Sequence, residues 1–526
     1  MTSSSSSTDI LIIGAGPTGL MLACQLSLYP NISFRIIDKN SSRNIHSRAL
    51  VVHARSLELF AQLNLVEKAI TQGEFVNGGN IFIRGKCRSS LNMKSIQTDQ
   101  QSLLTRYPYI LFLEQSVTEQ LLETYLNEHN IHVERQTEAI DFIDIDSKND
   151  NEVQVILSTG EIIRTKYVCA CDGARSIVRH KLNLSFDGRT YSESIFVADC
   201  KIDNIPFGKN QLTLFFASSG LSGIFPMTHD RYRIVGTIHE QKETDQTISI
   251  EEAANILKQR SEHFDLNIHG CSWISVYRSH HRHITTFRYR NRYFLLGDAA
   301  HIHSPVGGQG MNTGLQDAHN LAWKLAYLLT HSARDRLLDT YHDERSAVAK
   351  TLVNTTDRAF AFLSSVNWIT RLVRLFVTPV LLQFVIQPLF TYSRKFRQIV
   401  FLRVSQLGIT YRSSNIYDYG ASAGNFHQTT PQPGDRFPYV IFSPCYYHLI
   451  LFENQQLTKV NQFVEFIKKE YSNMIQIHDS NEEKIPLQFE GAILIRPDGY
   501  IAYRTNVFDI KHFQCYFDQF FPKEMI

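Results

Sequence analysis

The first forty residues alternate between apolar runs of two different periods. Asp9–Ile13 is a short run rich in β-branched residues, Pro17–Leu28 carries apolar residues at helical spacing, and Ile32–Asp38 is a second strand-like run. A strand, a glycine turn, a helix and a second strand within about thirty residues form a βαβ unit. Similar signals recur near Val153–Asp172 and Arg292–Leu329. The pattern predicts a nucleotide-binding domain assembled from separated segments.

The chain between and after these segments has other patterns. Phe196–Gly236 alternates aromatic and β-branched residues with Gly and Pro breaks, which is typical of an antiparallel sheet. Leu337–Ile409 is mostly helical in pattern, and the polar stretch from Arg412 to Arg436 indicates a linker. We therefore expect an α/β (α+β multidomain) protein. Its parts are a Rossmann-like domain (residues 1–80, 105–185 and 285–335), a sheet-rich domain that interrupts it (81–104 and 186–284), a helical segment (336–411) and a C-terminal unit (427–526).

Composition narrows the class of protein. Of the 526 residues 43% are hydrophobic and 20% are charged, which suits a soluble globular protein. The formal net charge of +2 gives no overall field that would attract nucleic acid. Eight scattered cysteines without a CxxC pair favour a reducing compartment, and the N-terminal MTSSSSST lacks the basic flank of a secretory signal. These observations predict a cytoplasmic protein.

One apolar stretch leaves two interpretations open. Phe376–Phe390 spans fifteen residues with two prolines, which is short of the ~20 residues that a membrane span needs. A helix lying on a membrane surface is one interpretation, because basic residues flank the stretch. Buried helices of a helical segment are the other, and the pattern favours them, since basic flanks on apolar helices are common. The flanking residues are Arg371, Arg374, Arg394, Lys395 and Arg397.

The first chemical motif is the hexapeptide GAGPTG at positions 14–19, between the first strand and the first helix. In a G-x-G-x-x-G turn the first glycine permits the tight turn, the second lets the backbone approach a pyrophosphate, and the third lets helix and strand pack closely. Asp38 lies 19 residues past Gly19, where a carboxylate that binds ribose hydroxyls is expected. The motif predicts a dinucleotide site, with a purely structural turn as the alternative. Its candidate residues are Gly14, Gly16, Pro17, Thr18, Gly19 and Asp38.

Two later strands also end in an aspartate. Asp172 begins the sequence Asp-Gly-Ala-Arg-Ser, which builds a turn beside an anion. Asp298 follows an apolar strand, and Pro305 and three glycines then form a loop in which the backbone must contact a flat ligand. The helix after this loop begins near Met311, and its N-terminus can stabilise a developing anion. The sequence thus predicts three ligand-binding turns.

Some residues of these segments could be mistaken for metal ligands. Cys169 and Cys171 form a CxC, but alternate residues of a strand point to opposite faces and do not converge. His301 and His303 form an HxH that no carboxylate or cysteine cluster accompanies, and His280–His283 is typical of a polar strand surface. We therefore predict no metal site.

The three motifs, in this order and spacing, resemble those of the single-component FAD-dependent aromatic monooxygenases, the family of p-hydroxybenzoate and phenol hydroxylases. GAGPTG is similar to the family's ADP-binding glycines, CDGARS to its Asp-Gly motif, and GDAAHIHSPVGGQGMN to its Gly-Asp motif. The resemblance covers essentially the whole chain. Residues 427–526 resemble the thioredoxin-like C-terminal domain of the phenol-hydroxylase branch. That unit has no CxxC, so dithiol chemistry is not expected.

The resemblance implies cofactor-binding roles for residues that match the family's motifs. Asp38 is expected to hold the adenosine ribose, Arg48 to lie near the FAD pyrophosphate, and Asp298 to bond the ribityl hydroxyls. Gln115 matches a glutamine that bonds the ribityl chain or a phosphate. The other implied residues are Asp172 and Arg179, in a region linked to FAD and to the nicotinamide cofactor, and the flavin-facing loop and helix start, Gly308, Gly310, Met311 and Asn312.

On the substrate side the resemblance is weaker. Tyr277 falls where phenol hydroxylases have a substrate-side tyrosine, with a surface tyrosine of a strand as the alternative, and Pro305 lies in the flavin-facing loop. Phenol hydroxylases have an aspartate directly after the Arg48-Ala49 position, and this chain has Leu50. Without a base beside Arg48, we expect a substrate that is more readily ionised than phenol.

The implied activity is monooxygenation. NAD(P)H would reduce bound FAD, and the reduced flavin and O2 would form a C4a-hydroperoxide that hydroxylates a phenol-like or larger polycyclic substrate. Only one complete G-x-G-x-x-G is present, so NADPH or NADH is expected to dock transiently. The alternatives are another FAD oxidoreductase of this architecture, a halogenase or a reductase, and a non-catalytic FAD-bound interaction protein. The expected partners are a small aromatic substrate and O2, with no nucleic acid; a homodimer is compatible with the sequence.

Overall fold

Two large sheets and a smaller C-terminal sheet organise the chain. The computed structural model describes residues 5–46, 48–92, 104–146, 151–238, 248–262, 264–365, 367–414, 420–427, 430–438, 442–452, 457–483, 485, 487 and 489–522. This α/β architecture of several sheets and helices confirms the predicted fold class.

The first sheet is built on the predicted βαβ unit. β1 (Ser5–Ile13) pairs in parallel with β2 (Phe34–Ile37) on one side and with β10 (Ile162–Ala170) on the other. β10 also pairs in parallel with β17 (Tyr293–Leu295), so segments more than one hundred residues apart in sequence join one sheet, as the pattern predicts. The remaining strands of this sheet are β8 (Ala139–Asp146), β9 (Asn151–Leu157) and β16 (Arg288–Tyr289).

Helices cover this sheet. α1 (Pro17–Leu26) starts with a proline at its first position, which fits the missing N–H there, and it buries most of its side chains. The other elements around this sheet are α2 (Ala54–Gln62), α3 (Val66–Gln72), α4 (Gln115–Glu128), α5 (Ile177–Lys181) and α7 (Gly310–Thr330), with a small sheet of β3 (Val51–Val52), β4 (Glu74–Phe75) and β7 (Leu111–Phe112).

The second sheet has eight strands and interrupts the first in sequence. Its strands alternate between residues that pack under α6 (Ile250–Ser261) and residues that face the other way. The sheet begins at Gly78, slightly before the expected boundary at residue 81. In spatial order the strands are β18 (His301–Ile302), β15 (Asn267–His283), β11 (Asp187–Asp203), β14 (Arg231–Ile238), β13 (Gly220–Met227), β12 (Gln211–Ala217), β5 (Gly78–Ile83) and β6 (Lys86–Asn92).

The helical segment contains one helix that is longer and more exposed than expected. α8 (Arg336–Ser364) is followed by α9 (Trp368–Tyr392), a helical run with two π-helical stretches, and by α10 (Arg394–Val404). By length and composition alone, α9 is apolar enough to cross a membrane, and only 11% of its most apolar stretch is buried. The expectation that this stretch forms buried helices is therefore wrong.

The C-terminal unit packs on the part of the chain that is built around the first sheet. Its sheet has the order β19 (Ser422–Ala423), β23 (Ile501–Thr505), β22 (Ala492–Ile495), β20 (Tyr447–Leu451) and β21 (Ile475–Asp479), flanked by α11 (Leu457–Tyr471) and α12 (Ile510–Phe517). Trp323 and Tyr327 of α7 share a buried aromatic cluster with Tyr447 and Phe521. The thioredoxin-like assignment of this unit stays a prediction.

Candidate active site

A cavity of about 1160 Å³ lies between the loops of the first sheet and one face of the eight-stranded sheet. Ligand sites for small molecules usually measure about 300–1,000 Å³, so this one has room for a cofactor and a second ligand. The sequence-predicted residues that line it are Gly14, Gly16, Pro17, Thr18, Asp38, Arg48, Gln115, Asp172, Tyr277, Asp298, Pro305, Gly308, Gly310 and Met311. Three predicted residues lie behind the lining: Gly19, Arg179 and Asn312.

The glycine turn has two tight positions and one open position. Gly14 has φ +100°, and a Cβ there would lie 2.5 Å from the carbonyl oxygen of Cys171. A Cβ on Gly19 would lie 1.9 Å from the carbonyl oxygen of Gly14, so α1 can approach the turn only with glycine at that position. A Cβ on Gly16 would meet nothing within 4 Å. The open position faces the cavity, which fits the close approach of a pyrophosphate to the helix N-terminus.

Asp38 lies beside the same turn. Its carboxylate accepts hydrogen bonds from the backbone N–H of Ala15 at 2.7 Å and of Asn40 at 2.8 Å. Arg135 also lies 3.8 Å from Oδ1, and because a carboxylate offers about four acceptor positions, Asp38 keeps acceptor capacity for a ligand. The side chain lines the cavity, which fits the expected contact with a ribose.

The Asp298 turn is held by a buried aspartate that sequence reasoning missed. Asp317 of α7 accepts hydrogen bonds from the backbone N–H of Gly297 at 3.1 Å, from His301 Nε2 at 2.8 Å and from Arg345 Nε at 2.6 Å. Burial opposes its ionisation, but Arg345 and His301 outweigh burial and hold the pKa of Asp317 below its usual value. The available signal was an acidic residue on the apolar face of a predicted helix, which needs a buried partner.

Asn312 lies behind the loop of residues 305–310 instead of lining the cavity. Its side-chain amide donates to the carbonyl oxygens of Val51 and Gly308, both at 2.8 Å, and its oxygen accepts from the backbone N–H of His53 at 2.9 Å. His53 donates through Nε2 to the carbonyl oxygen of Gly307 at 3.0 Å. Burial lowers the pKa of His53 to about 4, so the ring is neutral. These bonds fix the loop against β3 and the start of α2.

Asp172 and Arg179 connect two of the turns. Asp172 accepts hydrogen bonds from the backbone N–H groups of Ile177 and Val178 and thereby caps the short helix α5. Arg179 donates to the carbonyl oxygen of Ala299 at 3.0 Å, next to Asp298, and its guanidinium stacks on the ring of Phe186. Asp172 therefore lines the cavity, whereas Arg179 ties the Asp-Gly turn to the Asp298 turn.

The loop that carries Arg48 is held from both sides of the cavity. The backbone N–H of Gln115 donates to the carbonyl oxygen of Ala49 at 3.1 Å, and the Gln115 side chain donates to Glu119. From the eight-stranded sheet, Arg233 donates to the carbonyl oxygen of Arg48 at 2.9 Å. Arg233 is 2% exposed and forms a bidentate ion pair with Asp199. Sequence reasoning missed this pair, because it joins two strands of a sheet whose register only the fold determines.

Comparisons with known proteins agree with this geometry. A family model described as FAD binding domain matches residues 7–356. The chain is 34% identical to the aromatic compound monooxygenase YhjG of Bacillus subtilis over 356 residues, 66% of this chain and 67% of that protein. It is 29% identical to the 6-methylpretetramide 4-monooxygenase of Streptomyces rimosus over 94% of this chain and 90% of that protein. The chain belongs to the family of FAD-dependent aromatic monooxygenases.

A solved structure extends this likeness to the whole fold. The anhydrotetracycline hydroxylase OxyS of Streptomyces rimosus superposes with a TM-score of 0.74 at 25% identity, over 98% of this chain and 99% of the other. The shared length includes the C-terminal unit. The cofactor of this monooxygenase is accordingly FAD, with NAD(P)H as the reductant that is typical of the family.

The wall that the eight-stranded sheet gives to the cavity of this monooxygenase is apolar and positively charged. Tyr277 of β15 lies under the guanidinium of Arg48, 4.4 Å from its ring centroid. Burial raises the pKa of Tyr277, although Arg48 and Arg233 lower it, so the phenol is protonated at neutral pH and can donate a hydrogen bond. Leu50 is 4% exposed and packs in an apolar cluster with Phe112. The position that would carry a base in phenol hydroxylases is therefore part of the apolar wall.

Proposed function

We propose that this monooxygenase hydroxylates a ring-fused aromatic substrate that carries an acidic hydroxyl group, and that it binds this substrate as an anion. The observation that carries the proposal is the wall that the eight-stranded sheet gives to the cavity. Apolar side chains from four strands form it, and none of its described lining residues is Asp or Glu. The apolar lining includes Ile195, Val197, Leu212, Leu214, Phe225 and Val235.

Charge supports the anionic form of the substrate. Arg48 and Arg278 line the cavity, and among the described residues no ion pair involves either of them. Arg233 also lines it but is neutralised by Asp199. A cation within about 4–6 Å favours the charged form of a hydroxyl and lowers its pKa. Arg48 can thus stabilise a phenolate oxygen, while neutral Tyr277 donates a hydrogen bond to the same region.

These positions indicate separate roles for the cofactor and for the residues that surround it. When FAD is bound and has been reduced by NAD(P)H, its reaction with O2 supplies the activated oxygen. We propose that the glycine turn and Asp38 hold its adenosine diphosphate part, and that Asp298, Asp172, Gln115 and the flavin-facing loop hold the rest. The apolar wall excludes water from the reacting ring. Arg48 keeps the ring electron-rich by holding the substrate hydroxyl as its anion, so no carboxylate base is needed.

The size of the substrate is inferred from the cavity and the relatives. The cavity exceeds a site for one small ligand, and its apolar part extends over several strands. The names of two similar proteins refer to 6-methylpretetramide and anhydrotetracycline, which supports a ring-fused substrate. A screen of hydroxylated polycyclic aromatics that records NAD(P)H consumption and hydroxylated product together tests this. NAD(P)H consumption without a hydroxylated product from any of them would favour a reductase instead.

The first prediction concerns substrate acidity. Across hydroxyaromatics of graded acidity, kcat/KM at neutral pH is expected to rise as the substrate pKa falls, since only the anion reacts. For each substrate, kcat/KM should increase with pH until the pH reaches the pKa of the free substrate. Unsubstituted phenol ionises near pH 10, as Tyr does, and is expected to be a poor substrate. Efficient hydroxylation of phenol at neutral pH would contradict the proposal.

The second prediction separates two roles of Arg48. Arg48→Gln is expected to lower kcat/KM by roughly 10- to 150-fold, because a hydrogen bond to a charged group contributes ~1.5–3 kcal/mol. It should also move the acid limb of the pH profile of kcat to higher pH. Arg48→Lys keeps the positive charge and should show smaller changes in both quantities. Arg43→Gln serves as a control, since Arg43 lines the cavity but pairs with Glu123. If Arg48→Gln weakened FAD binding but left the pH profile of kcat unchanged, Arg48 would bind the cofactor and not the substrate.

A further inference from the structure

The helix α9 exposes an apolar surface of unusual extent. More than half of the exposed large hydrophobic side chains among the described residues lie between Trp368 and Tyr392. Trp368 is 69% exposed, Phe376 53%, Phe384 67% and Tyr392 86%. Single exposed hydrophobic residues need no explanation, but a contiguous apolar surface marks an interaction site.

The side of α9 that contacts the protein carries both polar and apolar groups: Arg374, Pro379 and Phe390 are buried. Gln387 accepts a hydrogen bond from Ser89 Oγ at 2.6 Å and donates to the carbonyl oxygen of Ser90 at 3.0 Å, both on the edge strand β6. Gln383, one turn earlier, accepts from Arg88 at 3.3 Å. A surface helix of a soluble protein normally buries its apolar face and exposes its polar face. On α9 most of the large apolar side chains are exposed instead, so the outward face suits an apolar environment.

The charged residues in the sequence around α9 are all basic, although one of them, Arg412, pairs with Asp435. Between Arg358 and Tyr417 the sequence has eight Lys or Arg residues and no Asp or Glu, in a chain whose formal net charge is only +2. Arg371, Arg394 and Lys395 are exposed at the two ends of the helix. Such a distribution attracts a negatively charged surface and repels a positive one.

We propose that α9 is a membrane-docking helix that lies in the interface of a lipid bilayer containing anionic lipids. The exposed apolar side chains would enter the acyl boundary, and the flanking cations would contact lipid phosphates. Trp368 and Tyr392, at the two ends of the helix, are residue types that prefer the headgroup level. A second copy of this chain is a poorer occupant, because a two-fold interface would place the two positive surfaces against each other.

The contacts of α9 set its orientation. A helix of 25 residues is about 37 Å long, which would be enough to cross a bilayer. However, Gln383 and Gln387 fasten its middle to β6, and buried Arg374 donates to the carbonyl oxygens of Phe362 and Leu363 at its start. The helix therefore lies along the protein surface and contacts the bilayer from one side. Because Leu363 also lines the cavity, the active site lies next to this surface.

The test uses the full-length holoenzyme and vesicles. In flotation experiments, the protein should bind vesicles of equimolar phosphatidylcholine and phosphatidylserine, bind phosphatidylcholine alone more weakly, and lose the difference at high salt. Phe376→Gln/Phe384→Gln should reduce the partition coefficient at least tenfold. Arg394→Gln/Lys395→Gln should reduce binding to the anionic vesicles by about fivefold for each charge removed. Flavin absorbance reports that each variant is folded.

Matched controls and a second measurement keep the result decisive. Ile140→Gln/Ile143→Gln removes two hydrophobic side chains that are 44% and 46% exposed on β8 and should leave vesicle binding unchanged. Sedimentation of the free protein should give the same mass for the wild type and the Phe376→Gln/Phe384→Gln variant. If the wild-type protein binds neither kind of vesicle, the proposal is wrong. A dimer that this double substitution dissociates, without vesicle binding, would show that a second copy covers the helix.

Discussion

Glu344→Ala is expected to lower the free energy of unfolding by about 3–5 kcal/mol, the usual cost of removing one partner of a buried ion pair. Glu344 is 1% exposed on α8 and accepts hydrogen bonds from Lys324 at 2.8 Å, from Arg496 at 2.9 Å and from Asn320 at 2.7 Å. Arg496 comes from the C-terminal unit. Without the carboxylate, two buried cations would lose the acidic partner that they share, while Asp498 would stay paired with Arg496.

The same network connects the C-terminal unit to the helix that follows the Arg48 loop. Arg55 of α2, which follows the loop holding Arg48, donates to the backbone carbonyl of Asp498 at 2.8 Å. Burial lowers the pKa of Lys324 to about 8 even with Glu344 beside it, so Lys324 loses its positive charge in mildly alkaline solution. The FAD-binding part and the C-terminal unit are therefore expected to unfold together, although all three flavin motifs precede residue 427.

Urea unfolding followed by two probes checks this. Flavin release and intrinsic tryptophan fluorescence should have the same midpoint in the wild type, and Glu344→Ala should lower that midpoint with little change in slope. Glu344→Gln keeps an oxygen acceptor, so its unfolding midpoint should lie between those of the wild type and Glu344→Ala. Glu465→Ala is the control, since Glu465 is exposed on α11 and its replacement should change stability by no more than ~0.5 kcal/mol. If flavin release and tryptophan fluorescence had different midpoints in the wild type, the two units would not unfold together.

Gly16→Val is expected to weaken FAD binding at least a hundredfold while the protein without cofactor stays as stable as the wild type. A Cβ on Gly16 meets no protein atom within 4 Å, and the backbone there has φ −77°, which any residue adopts. The added side chain would therefore fill the space that a pyrophosphate needs at the start of α1. The loss would be steric, without a change in the fold.

Gly19→Val provides the opposite result within the same motif. Its Cβ would lie 1.9 Å from the carbonyl oxygen of Gly14, so α1 would have to move away from the sheet. We expect this variant to be strongly destabilised even without FAD. FAD titration and urea unfolding of the two proteins without cofactor separate the roles. If Gly16→Val bound FAD like the wild type, the pyrophosphate could not lie at this turn.

The sequence alone predicted the parts whose geometry is decided within a few residues. Glycines at positions 14, 16 and 19, the strand before them and the helix after them specify a turn by local steric limits, and the structure brings Asp38 to that turn. The periods of the apolar residues likewise predicted the first strand, the first helix and the second strand, which the structure has as β1, α1 and β2. The order of the motifs was sufficient to indicate the family, because each motif is continuous in sequence.

Only the tertiary structure decided which distant groups meet and which faces remain exposed. Asp317 with Arg345, Arg233 with Asp199 and Glu344 with Arg496 are pairs whose energy depends on joint burial, and no local pattern records the partner. The sequence showed that α9 is apolar, but the prediction that its side chains are buried was wrong. The direction of a helix face is set by what packs against its other side. Here Gln383 and Gln387 bind β6, and Phe390 packs in a buried cluster, while most of the large apolar side chains stay exposed. Local sterics act along the chain, whereas burial and charge pairing act between segments that only folding brings together.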